Sequence, residues 1–206
     1  MGFYTKYLLP KGVHFICGTK RFMSQRKKIV ALAEGRVLEV GIGSGLNLPL
    51  YDSAKVNHVW GLDPSNELWA LAEKTAARVK LNVEFIKGRA EAIPLIDRSA
   101  DTVLVTYSLC SVRSILPALR EMRRILKPAG HLIFCEHGQA PDAAVRKWQN
   151  RLNPIWKRIA GGCNLNLPIP FLLEQAGFKI RKMDSMYLPG WKPATFNYWG
   201  TAVSAK

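Results

Sequence analysis

Three glycines stand at alternate positions, Gly41, Gly43 and Gly45, inside "VLEVGIGSGLNLPLY" (residues 37–51). A branched apolar run leads into them and carries Glu39. Glycine lets a chain turn sharply and lets a ligand come close to the backbone. The amides of a helix start beyond such a turn favour a negative group. Asp63 ends the apolar run "HVWGLD" (58–63), about 20 positions beyond Gly41, the interval at which an acid meets ribose hydroxyls in nucleotide sites. Dinucleotide sites want GxGxxG, but here Leu46 stands where the third glycine belongs. No GK[ST] follows, so this is no P-loop and the ligand need not carry phosphate. S-adenosylmethionine fits: its carboxylate can meet the amides and its ribose can meet Asp63. A ligand-free tight connection is the plainer alternative, but it leaves Glu39 and Asp63 unexplained.

These residues need strands and helices to hold them. Strands are expected at 36–40, 58–63, 82–88, 100–112 and 131–137, each bounded by turn residues. Residues 67–79 have helical spacing, with Ser65 or Asn66 as N-cap. A helix over 115–130 is stopped by Pro128 and Gly130. A basic, aromatic helix covers 141–162, a short one 169–178, and strands at 179–188 and 194–205 end the chain. Alternation of this kind predicts an α/β fold with a parallel sheet between two helical layers. Nucleotide dehydrogenases normally finish on another parallel strand, so the two closing strands also favour S-adenosylmethionine. No repeat or linker divides the 206 residues, so one domain is expected. Its parts are an amphipathic segment (1–34), a cofactor core (35–137), a substrate cover (138–178) and a closing strand pair (179–206).

The chain has 30 Lys+Arg against 15 Asp+Glu, a formal charge of +15. That field favours nucleic acid, an acidic membrane surface or small anions. Cys17, Cys110, Cys135 and Cys163 are far apart, with no CxxC and no histidine at ligand spacing, so no metal is expected. A disulfide framework is not expected either, and a reducing cytoplasm is the default. No run is long and apolar enough for a bilayer span. Lys6, Pro10 and Lys11 interrupt the only signal-like stretch, and Lys6 stands where an N-myristoylation signal needs Ser or Thr. Phe3, Tyr4, Tyr7, Leu8 and Leu9 form an apolar cluster read as a lid over the cofactor, a peripheral contact with anionic membrane, or both.

The motifs "EVGIGSG", "GLDPS", "GRAEAIPL" and "LREMRRILKPAGHLIFCEH" resemble those of class I S-adenosylmethionine-dependent methyltransferases over nearly the whole chain. Within that class the chain is similar to the ubiquinone/menaquinone methyltransferase group. "YSLCSV" (107–112), "EHG" (136–138) and "WQNRLNPIWKRIAGGCNL" (148–165) resemble membrane-associated alkyl thiol S-methyltransferases and their bacterial relatives. The resemblance implies a Rossmann-like, seven-stranded, mostly parallel sheet with an antiparallel last strand. It implies cofactor contacts at Glu39, Gly41, Gly43, Ser44, Gly45, Asn47, Asp63, Pro64, Arg89, Ala90, Glu91, Thr106 and Tyr107. Arg89 stands where the family commonly has an acid, which leaves adenine recognition to Glu91 or a backbone carbonyl.

Methyl transfer from a sulfonium is an in-line displacement that asks the protein to position the acceptor and exclude water. A thiol or hydroxyl acceptor must also lose a proton. His137 and Tyr107 are the candidate catalytic groups, and Cys110, Glu136, His137 and Asn164 the candidate substrate contacts. Structural roles compete with each: ordering the backbone for His137, apolar packing for the cysteines. Trp148 and Trp156 are core residues or, alternatively, a cage for a methylated amine. The expected activity is methylation of a small or lipid-like acceptor, foremost an alkyl thiol. Phospholipid N-methylation and quinone C- or O-methylation are the alternatives. RNA methylation and an inactive cofactor-binding protein stand further back, and no nucleic-acid partner is expected because no RNA-binding module is appended.

Overall fold

The protein is described by a computed structural model over residues 9–65 and 67–205. Phe3, Tyr4, Tyr7 and Leu8 of the apolar cluster, and the candidate cap Asn66, lie outside the described residues.

The strands are β1 (Gly35–Val40), β2 (Val56–Asp63), β3 (Val83–Lys87), β4 (Ala100–Thr106), β5 (Leu126–His137), β6 (Phe178–Tyr187) and β7 (Phe196–Ser204). They form one sheet in the order β3-β2-β1-β4-β5-β7-β6. The first five are mutually parallel, and β7 runs antiparallel to both β5 and β6. The antiparallel last strand is therefore present. β1 and β4 are central and almost wholly buried, which is why both read as continuous apolar runs.

The helices are α1 (Leu9–Cys17), α2 (Lys20–Val30), α3 (Trp69–Ala76), α4 (Ile115–Ile125), α5 (Ala143–Ile159) and α6 (Ile169–Gln175). Successive strand residues point to opposite faces, and two cores follow. Leu38, Val103 and Leu132 pack with Leu119 and Met122 of α4 on one face. Val37, Leu104 and Ile133 pack with Ile29 and Val30 of α2 on the other. After β3 the chain crosses to the far side of β1. The carboxyl ends of β1 and β4 thus flank the switch point, where sheets of this kind bind ligands.

Four local expectations need correction. No α-helix follows the glycine turn; a chain of turns leads to one 3₁₀ turn at Leu48–Leu50. Pro49 is tolerated only in a first helical turn, and β2 begins a few residues later, so a longer helix has no room. β4 stops at Thr106 rather than running to 112, because Tyr107 takes φ 53° and a 3₁₀ turn (Leu109–Ser111) follows. α4 ends at Ile125, and Lys127, Pro128, Ala129 and Gly130 already belong to β5. Ser65 does not cap α3, whose N-cap position is Leu68.

Candidate cofactor and acceptor site

A cleft of about 440 Å³ opens at the carboxyl ends of β1, β2 and β4. Ten of the thirteen expected cofactor residues line it: Gly41, Gly43, Ser44, Asp63, Pro64, Arg89, Ala90, Glu91, Thr106 and Tyr107. At Gly41 (φ +76°) a Cβ would land on the Ser108 hydroxyl, so a side chain would collide with the loop after β4. At Gly43 (φ +51°) a Cβ would meet only Leu68 Cδ1, at an ordinary contact distance of 3.9 Å, and Gly43 lines the cleft, so here bare backbone faces it. The Gly43 N–H donates to Asp63 Oδ2 at 3.0 Å, and the Ser65 N–H donates to Oδ1 at 2.9 Å. Burial raises the Asp63 pKa, opposed by these two bonds. Asp63 therefore pins the glycine loop to β2 from the cleft wall, and spare lone pairs remain for hydroxyl donors.

Glu39, Gly45 and Asn47 lie behind the wall. Glu39 is 2% exposed; its Oε1 accepts from Asn47 Nδ2 at 3.0 Å and its Oε2 from the Tyr51 hydroxyl at 2.7 Å. Burial pushes its pKa up to about 7. Asn47 also donates to Thr106 Oγ1 at 3.0 Å, which ties β1, the loop and β4 together.

The hub of this network is a residue that sequence reasoning missed. Arg26 of α2 is 6% exposed yet lines the cleft. Its Nη1 donates to Asn47 Oδ1 at 3.0 Å and to Thr106 Oγ1, and its guanidinium sits 5.0 Å from the Tyr107 ring centroid. Its Nε is buried without a partner, and both oxygen partners are neutral. Glu39 and Glu136 lie within electrostatic reach, but no carboxylate bonds it directly among the described residues. A buried cation without a direct partner is costly, so a carboxylate-bearing ligand suits it. The bare backbone at Gly43, the acid at Asp63 and this unpaired guanidinium together fit S-adenosylmethionine. A helical wheel would have exposed Arg26: it falls in register with buried Phe22 and Ile29 on the core face of α2.

α1 covers the loop. His14 and Cys17 line the cleft, and His14 Nδ1 lies 2.6 Å from Ser44 Oγ. On the other side of the same helix Phe15 and Ile16 are 76% and 51% exposed. The third motif also reaches the cleft. Glu91 Oε1 accepts the N–H groups of Arg113 and Ser114 at 3.2 and 3.1 Å, joining that motif to the start of α4.

On the acceptor side the expected residues come together, but mostly behind the wall. The Tyr107 hydroxyl is 3.3 Å from Cys135 Sγ, and burial drives its pKa far above that of a free phenol. The hydroxyl is thus engaged with Cys135, while Tyr107 itself stays on the cleft wall. Glu136 is 0% exposed; its Oε1 accepts the N–H groups of Ser108 and Leu109 at 2.8 and 3.2 Å, and burial pushes its pKa up to about 7. It holds the loop after β4 and does not line the cleft. Asn164 likewise is a strut: its Nδ2 and its N–H donate to the Cys110 carbonyl at 2.9 and 2.8 Å. His137 contacts Cys163, with Nε2 3.2 Å from Sγ. Burial, the largest influence, lowers the His137 pKa, but the bond to Cys163 and the charges of Cys163 and Glu136 together outweigh it and the net direction is up. Trp148 is 55% exposed on α5 and lines no part of the cleft. Gln149 beside it, passed over in the sequence, is wholly buried and bonds Ala140, Gly138, Leu165 and Pro193.

The family described as "Methyltransferase domain" matches residues 38–134, which hold the glycine loop, Asp63 and the third motif. Thiol S-methyltransferase TMT1B of Homo sapiens is 34% identical over 203 residues, covering 95% of this chain and 82% of that protein. Phosphatidylethanolamine N-methyltransferase of Cereibacter sphaeroides is 33% identical over 118 residues, 55% of this chain and 57% of its own. The crystal structure of the YcgJ protein of Bacillus subtilis superposes with a TM-score of 0.69 at 18% identity, covering 89% of this chain and 97% of that one, a likeness of fold. No described helix is long and apolar enough to cross a membrane. Identity at this level, carried across most of a methyltransferase's length and joined by a family match that spans the glycine loop, assigns the chain: it belongs to the class I S-adenosylmethionine-dependent methyltransferases.

Proposed function

We propose that the acceptor is a small apolar thiol, methylated on sulfur as its thiolate. The observation that carries this reading is the charge of the cleft wall. Arg26, Arg89 and Arg113 stand there against Asp63 and Glu91, and both carboxylates already accept two backbone N–H groups. Such a wall favours an anionic acceptor over an amine that arrives as a cation. A thiol also ionises closest to neutral pH among the common acceptors, which suits a site whose Tyr107 and Glu136 are engaged elsewhere. The 34% identity to a thiol S-methyltransferase agrees.

S-adenosylmethionine supplies an activated methyl group on a sulfonium. In this reading the loop amides and Arg26 hold its carboxylate, Asp63 holds the ribose, and Ala90 and Glu91 face the base. α1 excludes water over Ser44. Residues 1–206 act as one catalytic unit, with 138–178 as acceptor cover. Incubation with methyl-labelled cofactor and, in parallel, a short alkyl thiol, phosphatidylethanolamine vesicles and tRNA tests it. Label in the S-methyl product supports the thiol reading; label only in lipid replaces it with head-group methylation, and label only in RNA sinks it.

Peripheral membrane contact through α1 is a second reading, favoured by Phe15 and Ile16 facing solvent on a helix whose other side meets the cleft. With a net charge of +15, sedimentation with anionic but not neutral vesicles is expected. Phe15→Glu should reduce it; pelleting with neither vesicle type would rule the contact out, and equal pelleting with both would remove the role of charge.

A further inference from the structure

Cys110, His137 and Cys163 come from three separate elements: the 3₁₀ turn after β4, the last residue of β5 and the loop after α5. Their ligand atoms, two Sγ and one imidazole nitrogen, all lie within 4.8 Å of one another. In a tetrahedral zinc site with Zn–S near 2.3 Å and Zn–N near 2.0–2.1 Å, ligand atoms are about 3.5–3.8 Å apart. The 3.2 Å between Cys163 Sγ and His137 Nε2 therefore needs to open by only a few tenths of an ångström.

The surrounding structure enforces this placement. Both donors of Asn164 clamp the 162–165 loop to the Cys110 carbonyl. Asn153 Oδ1 accepts the Leu165 N–H at 2.8 Å, and the Leu165 carbonyl accepts from Gln149. The "WQNRLNPIWKRIAGGCNL" stretch thus spends its polar side chains on fixing Cys163 against β4 and β5. His137 Nδ1 is buried with no hydrogen-bond partner among the described residues, so the imidazole is bonded through Nε2 alone, to Cys163 Sγ, the nitrogen that faces the cluster.

We infer that Cys110, His137 and Cys163 bind a thiophilic divalent ion, Zn2+ by chemical class, with the fourth position left for a ligand from outside the chain. Two thiolates and an imidazole suit Zn2+ and exclude the oxygen-seeking Mg2+ and Ca2+. Three protein ligands with one open position is the arrangement of catalytic rather than structural zinc. Access lies at Cys163, the half-buried member, and the neighbouring Ser111 and Gly161 line the cleft. An ion held there would lower the pKa of a coordinating acceptor thiol so that its proton passes to solvent, and the resulting thiolate would form the new S–CH3 bond as the sulfonium's S–CH3 bond breaks, leaving neutral S-adenosylhomocysteine. This last step rests on the proposed thiol reading; ion binding does not.

The test is titration of the reduced protein with Co2+, followed by thiolate-to-cobalt charge-transfer absorption, with zinc analysis of the purified chain. About one equivalent should bind and be displaced by Zn2+. Cys163→Ser and His137→Gln should each weaken binding more than about 100-fold. Cys17→Ser, a nearby thiol outside the cluster, should leave it unchanged. Circular dichroism establishes that the variants are folded. Absence of the band, an unchanged titration in folded Cys163→Ser, or a Cys110–Cys163 disulfide persisting with Zn2+ present would overturn the site. Thiol methylation indifferent to chelation in protein that binds the ion would overturn the fourth-ligand step alone. Ion binding without any thiol methylation would leave the site and remove the proposed acceptor.

Discussion

The two halves of the site are built differently. At the cofactor end, short local motifs place backbone amides, one acid and one buried arginine directly on the cleft. At the acceptor end, the polar residues around Cys110, His137 and Cys163 bond chiefly to one another and to backbone, and define the cleft from behind. A ligand common to a whole class can be met by a conserved geometry of main chain, while an acceptor that varies is met by a scaffold whose side chains shape the wall. Substitutions at the first end should therefore change cofactor affinity, and substitutions at the second should change stability and acceptor turnover.

The sharpest contrast is expected at Arg26. Arg26→Ala removes the unpaired guanidinium and leaves Asn47 Oδ1 and Thr106 Oγ1 short of a donor. We expect cofactor affinity, by calorimetry, to fall by roughly 100-fold or more, in line with the 3–5 kcal/mol typical of broken buried charge networks. Asp63→Ala should follow with about a 10–100-fold loss, the scale of hydrogen bonds to a charged group; unchanged affinity would remove Asp63 from the ribose role. Gln149→Ala breaks four buried bonds at the other end. It should lower unfolding free energy by about 2–4 kcal/mol with cofactor affinity intact. A parallel loss of affinity would show that the two ends are coupled.

A pH prediction separates the ends more finely. Burial raises the Glu136 pKa from 4.5 to about 7, so the folded state holds a proton that the unfolded chain releases. Stability then falls as pH rises from about 4.5 through 7, by up to roughly 3 kcal/mol for a fully buried group. Glu136→Gln keeps an acceptor for Ser108 and Leu109 and should flatten that slope in urea titrations. Glu39, raised likewise, should contribute the residual slope. The smallest effect is expected at exposed Trp148: Trp148→Ala should stay within about 0.5 kcal/mol and leave turnover unchanged, and a large drop in turnover would revive a cage role.

Much of this was legible in advance. The parallel sheet follows from the alternation of strand and helix patterns, and Gly41, Gly43 and Asp63 from their spacing, while the antiparallel last strand and the other cleft residues were what the resemblance to class I methyltransferases implied. The misplaced boundaries share one cause: an apolar run does not say where a strand stops when its end is set by a positive-φ residue, as at Tyr107. The missing helix after Gly45 is a case of Pro49 and loop length overriding a motif's usual continuation.

The sequence by itself pointed to the methyl donor, because the alternate glycines of one turn and the acid at the next strand end carry the resemblance to its known sites. Both lie within a short stretch whose spacing can be read directly. Only the tertiary structure decided that Arg26 is buried on the cleft wall between neutral oxygen partners, that the Tyr107 hydroxyl meets Cys135, and that three distant residues form one cluster. Those facts depend on contacts across 80 positions between Arg26 and Thr106 and 26 between His137 and Cys163. No periodicity encodes a contact of that range; packing of the two sheet faces creates it.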